Sequence, residues 1–312
     1  MSEIDMSEIG GSDDVVVHGV MVTFRRPAEL ARSLAALGEQ QHALASLVVV
    51  DNAPDPEVAA IVAAGAAAPR VDYVAAPDNL GPAGGIARGM AHVLGHAADT
   101  DWVVVLDDDD PLPDTAILTD HARDAAASTA TTAGVGAGGA RFDWSRGRLV
   151  PVEPPAGTWG TVDYLKSNWA PLYRVAALRA VGTFEPRLFF GFDDLEFGLR
   201  LRAAGWDLRV DPHGRAVREP GAGPSRRVGR FDWRRYYSLR NLVWLLRTHG
   251  HPGVAARVAL TVGIAKPLAN LPFEPRLAWS HLQLGARASI DGWRGTLGRT
   301  VTPDAARRQG AK

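Results

Sequence analysis

The sequence contains no cysteine, which excludes a disulfide framework and any zinc or iron–sulfur centre held by thiolates. That absence suits a reducing compartment, and the cytoplasmic side is the expected location. No stretch reaches the roughly 18 consecutive apolar residues of a membrane-spanning helix; the best C-terminal candidate, VALTVGIA, stops at Lys266 and Pro267. The N-terminal MSEIDMSEIGGSDD lacks the basic start and apolar middle of a signal peptide, so residues 1–14 are expected to form a disordered leader. No repeat of solenoid length is found.

What is present is an ordinary globular composition: 312 residues, 46% apolar, enough to bury a sizeable core. The formal charge of −1 hides an asymmetry. From Phe197 onward there are 21 Lys and Arg against 7 Asp and Glu, and before it 13 against 28. A basic C-terminal half suits an anionic partner such as phosphate or a lipid headgroup surface. Its basic residues are spread over several helical stretches with no recognition motif, so nucleic acid is not an expected partner.

Short β-branched runs alternate with helical patterns. VVVHGVMVTF precedes a helix over Pro27 to Leu37, LVVV leads to Asp51 and a helix within Pro56 to Ala68, and VDYVA leads to a helix from about Pro82 to His96. WVVVL then runs into the acids, and VGAGGARF is a further strand. Near-continuous apolar strands between helices predict a mostly parallel sheet covered on both faces, with ligands at the carboxyl ends of the strands. Beyond Asp211 a loop-like stretch leads into three helical segments, RRYYSLRNLVWLLRTHG, VAARVALTVGIA and LAWSHLQLGARASIDGW. The expected division is a catalytic domain over 15–230 and a basic helical extension over 231–312.

Three constellations carry chemistry. Asp107 to Asp110 are four consecutive acids at the end of an apolar strand, with Pro111 and Pro113 blocking its continuation. Like charges so close need a cation, donors or water, and a strand-end pair at i and i+2 converges on one hard cation such as Mg2+ or Mn2+. In NLGPAGGIARGM, Gly81, Gly84 and Gly85 lie between a strand and a helix, where backbone amides face an anion; the spacing is that of neither a dinucleotide fingerprint nor a P-loop. In FFGFDDLEFGLRLRAAGW, Asp193 and Asp194 open a helix. Capping accounts for one acid; Phe189, Phe190, Phe192 and Phe197 around the second would penalise its charged form, which suits a general base. Glu196 and Arg200 are spaced to pair.

In this order, the motifs resemble the family 2 inverting glycosyltransferases of the GT-A fold over roughly residues 15–245. VMVTFRRPAELARSLAAL is similar to the family's opening strand and helix, VVVDNAPDP to its second strand, PDNLGPAGGIARG to its glycine segment, LDDDD to its D-x-D motif and FDDLEFGLRLRAAGW to its acidic pair and helix. The resemblance implies an α/β GT-A catalytic domain, a Rossmann-like and mostly parallel sheet, with a helical C-terminal extension. It implies transfer of a sugar from a nucleotide-diphosphate donor to a hydroxyl acceptor with inversion. Asp194 becomes the catalytic base, with Asp193 beside it. Asp107 and Asp109 become ligands of a divalent cation, Mn2+ or Mg2+, the register Asp108 and Asp110 being the alternative. Thr23, Arg25, Asp51, Asn79, Gly81, Gly84, Gly85, Arg88 and Asp108 become donor-binding residues.

Family members often carry a metal-binding histidine a few residues after G-W-x-x-x-x-x-P; counting from Gly205 and Pro212, that register falls on Arg218, with His213 some positions away. Either Arg218 would then meet the donor diphosphate directly, or the metal would be held by the two aspartates and the phosphates alone. The motif wording is most like the bacterial galactofuranosyltransferase and rhamnosyltransferase branch, which implies a UDP- or dTDP-sugar donor. The acceptor would be a cell-envelope glycan, glycolipid or lipid-linked hydroxyl, with peripheral contact at the inner membrane face. The competing reading is a nucleotide-sugar-binding module that has lost turnover and serves a partner subunit. The helix in YYSLRNLVWLLRTHG is expected to pack on the core through Leu239, Leu242 and Leu246, with Trp233, Tyr236 and Trp244 beside them.

Overall fold

The computed structural model describes residues 15–65, 67–155, 158–211, 232–269 and 275–302. The leader, His213 and Arg218 lie outside the described residues.

The opening half alternates strand and helix: β1 (Val17–Thr23), α1 (Pro27–Gly38), β2 (Ser46–Asp51), α2 (Pro56–Ala64), β3 (Val71–Ala75), α3 (Gly81–Leu94) and β4 (Trp102–Asp107). There follow α4 (Ile117–Ala126), β5 (Thr132–Gly136), β6 (Gly139–Asp143), β7 (Arg148–Pro151), β8 (Gly160–Val162) and β9 (Tyr164–Leu165). β10 (Leu172–Arg174), α5 (Val175–Val181), α6 (Asp193–Ala203) and β11 (Asp207–Val210) complete the α/β body. VGAGGARF is thus two strands in two sheets, split at Ala137 and Gly138, because Gly138 sits so close to the Trp169 ring that an added Cβ would lie 2.3 Å from it.

The main sheet has the order β3-β2-β1-β4-β10-β5-β11-β8, and β7-β6-β9 form a small second sheet. β3, β2, β1 and β4 run parallel, while β10 is antiparallel to both β4 and β5. The central strands are buried on both faces and alternate between two cores. Val48 and Val50 point toward Ile86, Met90 and Val93 of α3, whereas Leu47 and Val49 meet Leu30, Leu34 and Val58 of α1 and α2. Thr23 pairs in register with Asp51, and Val22 with Asp107, so the polar residues that end these strands gather at one edge.

Three helical segments follow: α7 (Trp233–Thr248), α8 (Pro252–Val258) with a π-helical continuation Ala259–Ala265 and a last short turn α9 (Lys266–Ala269), and α10 (Pro275–Arg294). Asp232 caps α7 by accepting from the amides of Arg234 and Arg235. Of the residues expected to pack on the core, Tyr236, Leu239 and Leu246 are buried and Trp233, Leu242 and Trp244 half-buried, and Tyr237 joins them, in a third core that also takes Phe189 and Leu195 from the α/β body.

Candidate active site

The loop after β1 turns sharply. Arg25 takes a left-handed conformation (φ +57°), unusual for a residue with a side chain, and this delivers Arg26 to the start of α1. Arg26 makes no helix-capping bond; its guanidinium instead reaches Asp108 at 3.4 Å and pairs with Asp109. The four adjacent acids therefore already have a protein cation beside them, which the sequence pattern did not reveal.

The four acids are not equivalent. Asp107 is half-buried at the strand end, Asp108 is 7% exposed, and Asp109 and Asp110 face solvent. Ser33 on α1 donates to the Asp108 carbonyl at 2.8 Å, anchoring the turn. Burial raises the Asp108 pKa against the opposing pull of the Thr23 hydroxyl and Arg26. Neither Thr23 Oγ1 nor Asp108 Oδ2, both buried, makes a hydrogen bond of ordinary geometry.

The acids offer the hard oxygen donors that Mg2+ or Mn2+ takes. Among the described residues no three His, Asp or Glu side chains converge to hold an ion. A two-carboxylate set fits an ion that draws its remaining ligands from substrate phosphates and water, and there Asp109 would be shared with Arg26.

Asp51 is fully buried at the end of β2 and its carboxylate is heavily used. It accepts from the amides of Ala53 (2.9 Å) and Asp55 (3.1 Å) and from the Tyr73 hydroxyl (2.9 Å), which shapes the loop into α2. Asn52 bridges to the glycine segment, donating to the Gly81 carbonyl at 3.0 Å. Asn79 accepts from the Gly81 amide at 2.9 Å, an Asx turn that opens α3. Gly81 needs its positive φ (+70°), and a Cβ there would lie 2.2 Å from the Phe189 carbonyl. Gly85 lies against Val22, with 2.5 Å from an added Cβ to Cγ1, and Gly84 packs on Leu80. These glycines thus let α3 press on β1 and on the acid-bearing loop, a steric reason independent of any anion. Arg88 is exposed on α3.

The segment before α6 is strained. Phe189 (φ +63°), Gly191 (φ +77°) and Phe192 (φ +61°) all take left-handed conformations, two of them with bulky side chains. It is held from α7, where the fully buried Asn241 donates its amide to the carbonyls of Leu188 (3.0 Å), Phe190 (3.0 Å) and Gly191 (2.7 Å). Arg240, also fully buried, donates to the Leu188 carbonyl at 2.8 Å and orients Asn241 by a 2.9 Å bond to its Oδ1. In the sequence this pair is only a polar interruption in an apolar helix, so its role was missed.

Asp193 and Asp194 follow. Asp193 is 8% exposed, and burial raises its pKa; burial and then the neighbouring Asp193 charge raise that of Asp194. Asp194 also acts across the core, contributing after burial to the raised pKa of the Tyr164 and Tyr173 phenols. Capping explains less than the spacing suggests, since Phe192 is the cap and makes no side-chain bond, while Asp194 Oδ1 accepts the amide of its neighbour Leu195 at 2.8 Å. Glu196 and Arg200 pair as expected, through bonds of 3.0 and 2.8 Å. The Phe189 carbonyl accepts from the Ala83 amide at 3.4 Å, so the acid loop touches the glycine turn.

The structure resembles a mannosyltransferase from Pyrobaculum calidifontis solved with GDP-Man and Mn2+ (TM-score 0.52, 17% identity, 92% of this chain and 90% of that one). It also resembles GalNAc-T7 solved with UDP, GalNAc and Mn2+ (TM-score 0.51, 12% identity, 75% of this chain and 48% of that one). Both likenesses concern the fold. In sequence, the chain is 44% identical over 103 residues to the galactofuranosyltransferase GlfT1 of Mycolicibacterium smegmatis, covering 33% of each chain. It is 33% identical over 205 residues to GlfT1 of Mycobacterium tuberculosis, covering 61% of this chain and 65% of the relative. The match thus spans less than two thirds of either relative's length. The model of glycosyl transferase family 2 matches residues 20–177, half of the chain. With that match over the strands and loops that carry the acids and glycines, the chain belongs to glycosyl transferase family 2 and has the GT-A fold.

Proposed function

We propose that the protein transfers a sugar with inversion from a UDP- or dTDP-linked donor, galactofuranose or rhamnose, to a hydroxyl of a cell-envelope glycan or lipid-linked acceptor at the inner membrane face. The observation that carries the reading is the Asp193–Asp194 pair, Asp193 buried and Asp194 half-buried, at the end of a strained loop in contact with the Gly81 turn. The names of the M. smegmatis and M. tuberculosis relatives favour galactofuranose.

Asp194, kept proton-hungry by burial and by Asp193, takes the proton of the acceptor hydroxyl as that oxygen attacks the anomeric carbon. The bond from that carbon to the diphosphate breaks, its electron pair leaving with the nucleoside diphosphate. Arg26 lies at the strand edge where the growing negative charge needs a cation, and Asp107 and Asp109 would hold a divalent ion there. When bound, that ion supplies further charge stabilisation of the leaving diphosphate. Thr23, Arg25, Asp51 and Asn79 line the loops that would take the nucleoside, and Arg88 is the exposed cation on α3.

The test is thermal stabilisation by UDP, dTDP and GDP sugars, each with Mn2+, Mg2+ or EDTA, followed by turnover of the stabilising donor. Stabilisation by a UDP- or dTDP-sugar with turnover supports the reading. Donor binding with no turnover on glycan and lipid-linked acceptors would replace it with a binding module.

A further inference from the structure

The extension does not bury all of its apolar surface. Seven large apolar side chains are conspicuously exposed among the described residues, and five of them fall between 260 and 293: Leu260 (60%), Leu268 (42%), Trp279 (56%), Ile290 (49%) and Trp293 (44%). Composition alone does not account for this, because α7, equally apolar, hides Tyr236, Tyr237, Leu239 and Leu246. The difference lies in α10. Its small residues Ala278, Gly285, Ala288 and Gly292 face inward; Gly285 lies against Gly263, and Gly292 against the Arg240 carbonyl. At a helix's 100° per residue, Trp279, Ile290 and Trp293 fall within an arc of about 60°, centred about 125° round the helix from the small residues. Trp279, Ile290 and Trp293 thus point outward while the small residues face inward, the reverse of a helix that only packs.

The surroundings of this stripe are basic. Residues 232–302 carry ten Lys and Arg against three Asp and Glu. Of those acids, Asp232 caps α7, and Asp291 is taken by the Tyr236 hydroxyl and by Arg287 at 3.5 Å. Arg257, Lys266 and Arg294 are exposed. No described helix is long and apolar enough to cross a membrane, so the stripe lies on a surface rather than through it.

We propose that α10 and residues 259–269 form a docking surface for an anionic phospholipid bilayer. Trp279 and Trp293 lie at headgroup depth, Leu260, Leu268 and Ile290 enter the acyl boundary, and Lys266 and Arg294 meet lipid phosphates. Tryptophan favours that depth, an outward apolar line flanked by cations is how a helix lies in the interface, and anionic lipid complements the charge. A second copy of the chain is disfavoured, because a two-fold contact would bring the same cations face to face. The proposal deepens the membrane-side placement of the acceptor given above and rests on that reading only for its purpose, not for its surface.

The experiment is co-sedimentation of the full chain with vesicles of phosphatidylcholine, with or without phosphatidylglycerol. The wild type should partition to the phosphatidylglycerol vesicles and be released by salt. The double variant Trp279→Ser/Trp293→Ser should lose about tenfold or more of that partitioning, with its unfolding temperature unchanged. Lys266→Gln/Arg294→Gln should lose the preference for phosphatidylglycerol. Failure of the wild type to bind these vesicles, or variants that bind equally well, would overturn the proposal. So would a dimer by light scattering that the tryptophan variants dissociate. Transfer to a soluble acceptor, measured on the same samples, fails only if the enzymatic reading is wrong.

Discussion

The molecule holds two clusters of adjacent carboxylates in opposite environments. Asp107 to Asp110 end a strand half in water, with Arg26 on two of them. Asp193 and Asp194 follow a strained loop, with no cation paired to them among the described residues, and burial raises both pKa values. The first cluster is built to hold positive charge at a partly wet strand end; the second is built to take a proton. Residue type is the same in both, so the distinction comes from burial and neighbours, which is how one fold assigns an electrostatic role to one pair and a base role to another.

That contrast is open to attack at several points, from the largest effect to the smallest. Asp194→Asn should lower transfer by about 10²- to 10⁴-fold, the range for removing a general base, with donor affinity unchanged by calorimetry. Asn241→Ala strips a donor from three loop carbonyls; it should lower unfolding free energy by about 1–3 kcal/mol and reduce kcat more than it changes donor affinity. Arg26→Gln should raise the donor KM by about tenfold, as for loss of one charge-assisted contact, yet barely move thermal stability, because the pair with Asp109 is solvent-screened.

The two clusters also differ in their response to pH. Transfer should rise with pH through a midpoint above the ordinary carboxylate range, since the base must lose its proton. Stability should run the other way. With both folded pKa values raised above those of ordinary aspartates, the folded state binds more protons than the unfolded one. The pair's contribution is therefore fully present at low pH and is lost as pH rises through the folded values. Denaturant unfolding of wild type and Asp194→Asn across that window should show a smaller fall in the variant, in which only Asp193 still titrates.

Much of this was legible in the sequence because its causes are local. β-branched runs such as LVVV and WVVVL mark strands wherever they lie, and their acids fall at strand ends by connectivity alone. The FDDLE stretch announced a charged pair among aromatics, and burial follows from that company. What was not legible depends on distant backbone. Arg26 reaches Asp108 and Asp109 only because Arg25 adopts φ +57°. Asn241 meets three carbonyls some 50 positions earlier in the chain, and only α7 crossing that loop brings them together. The glycine segment was read as an anion cradle, whereas close approach to Val22 and the Phe189 carbonyl already accounts for Gly85 and Gly81. The outward tryptophans of α10 were not anticipated, because the small inward residues that displace them are visible only once the Gly263–Gly285 crossing is known.

The most direct test compares Asp194→Asn with Asp109→Asn for both turnover and donor binding. Asp194→Asn should bind donor normally and fail to transfer, while Asp109→Asn should lose donor affinity and keep the pH midpoint of whatever activity remains. If Asp194→Asn turned over like the wild type, or if the two variants failed in the same way, the division of labour between the two acid clusters would be wrong.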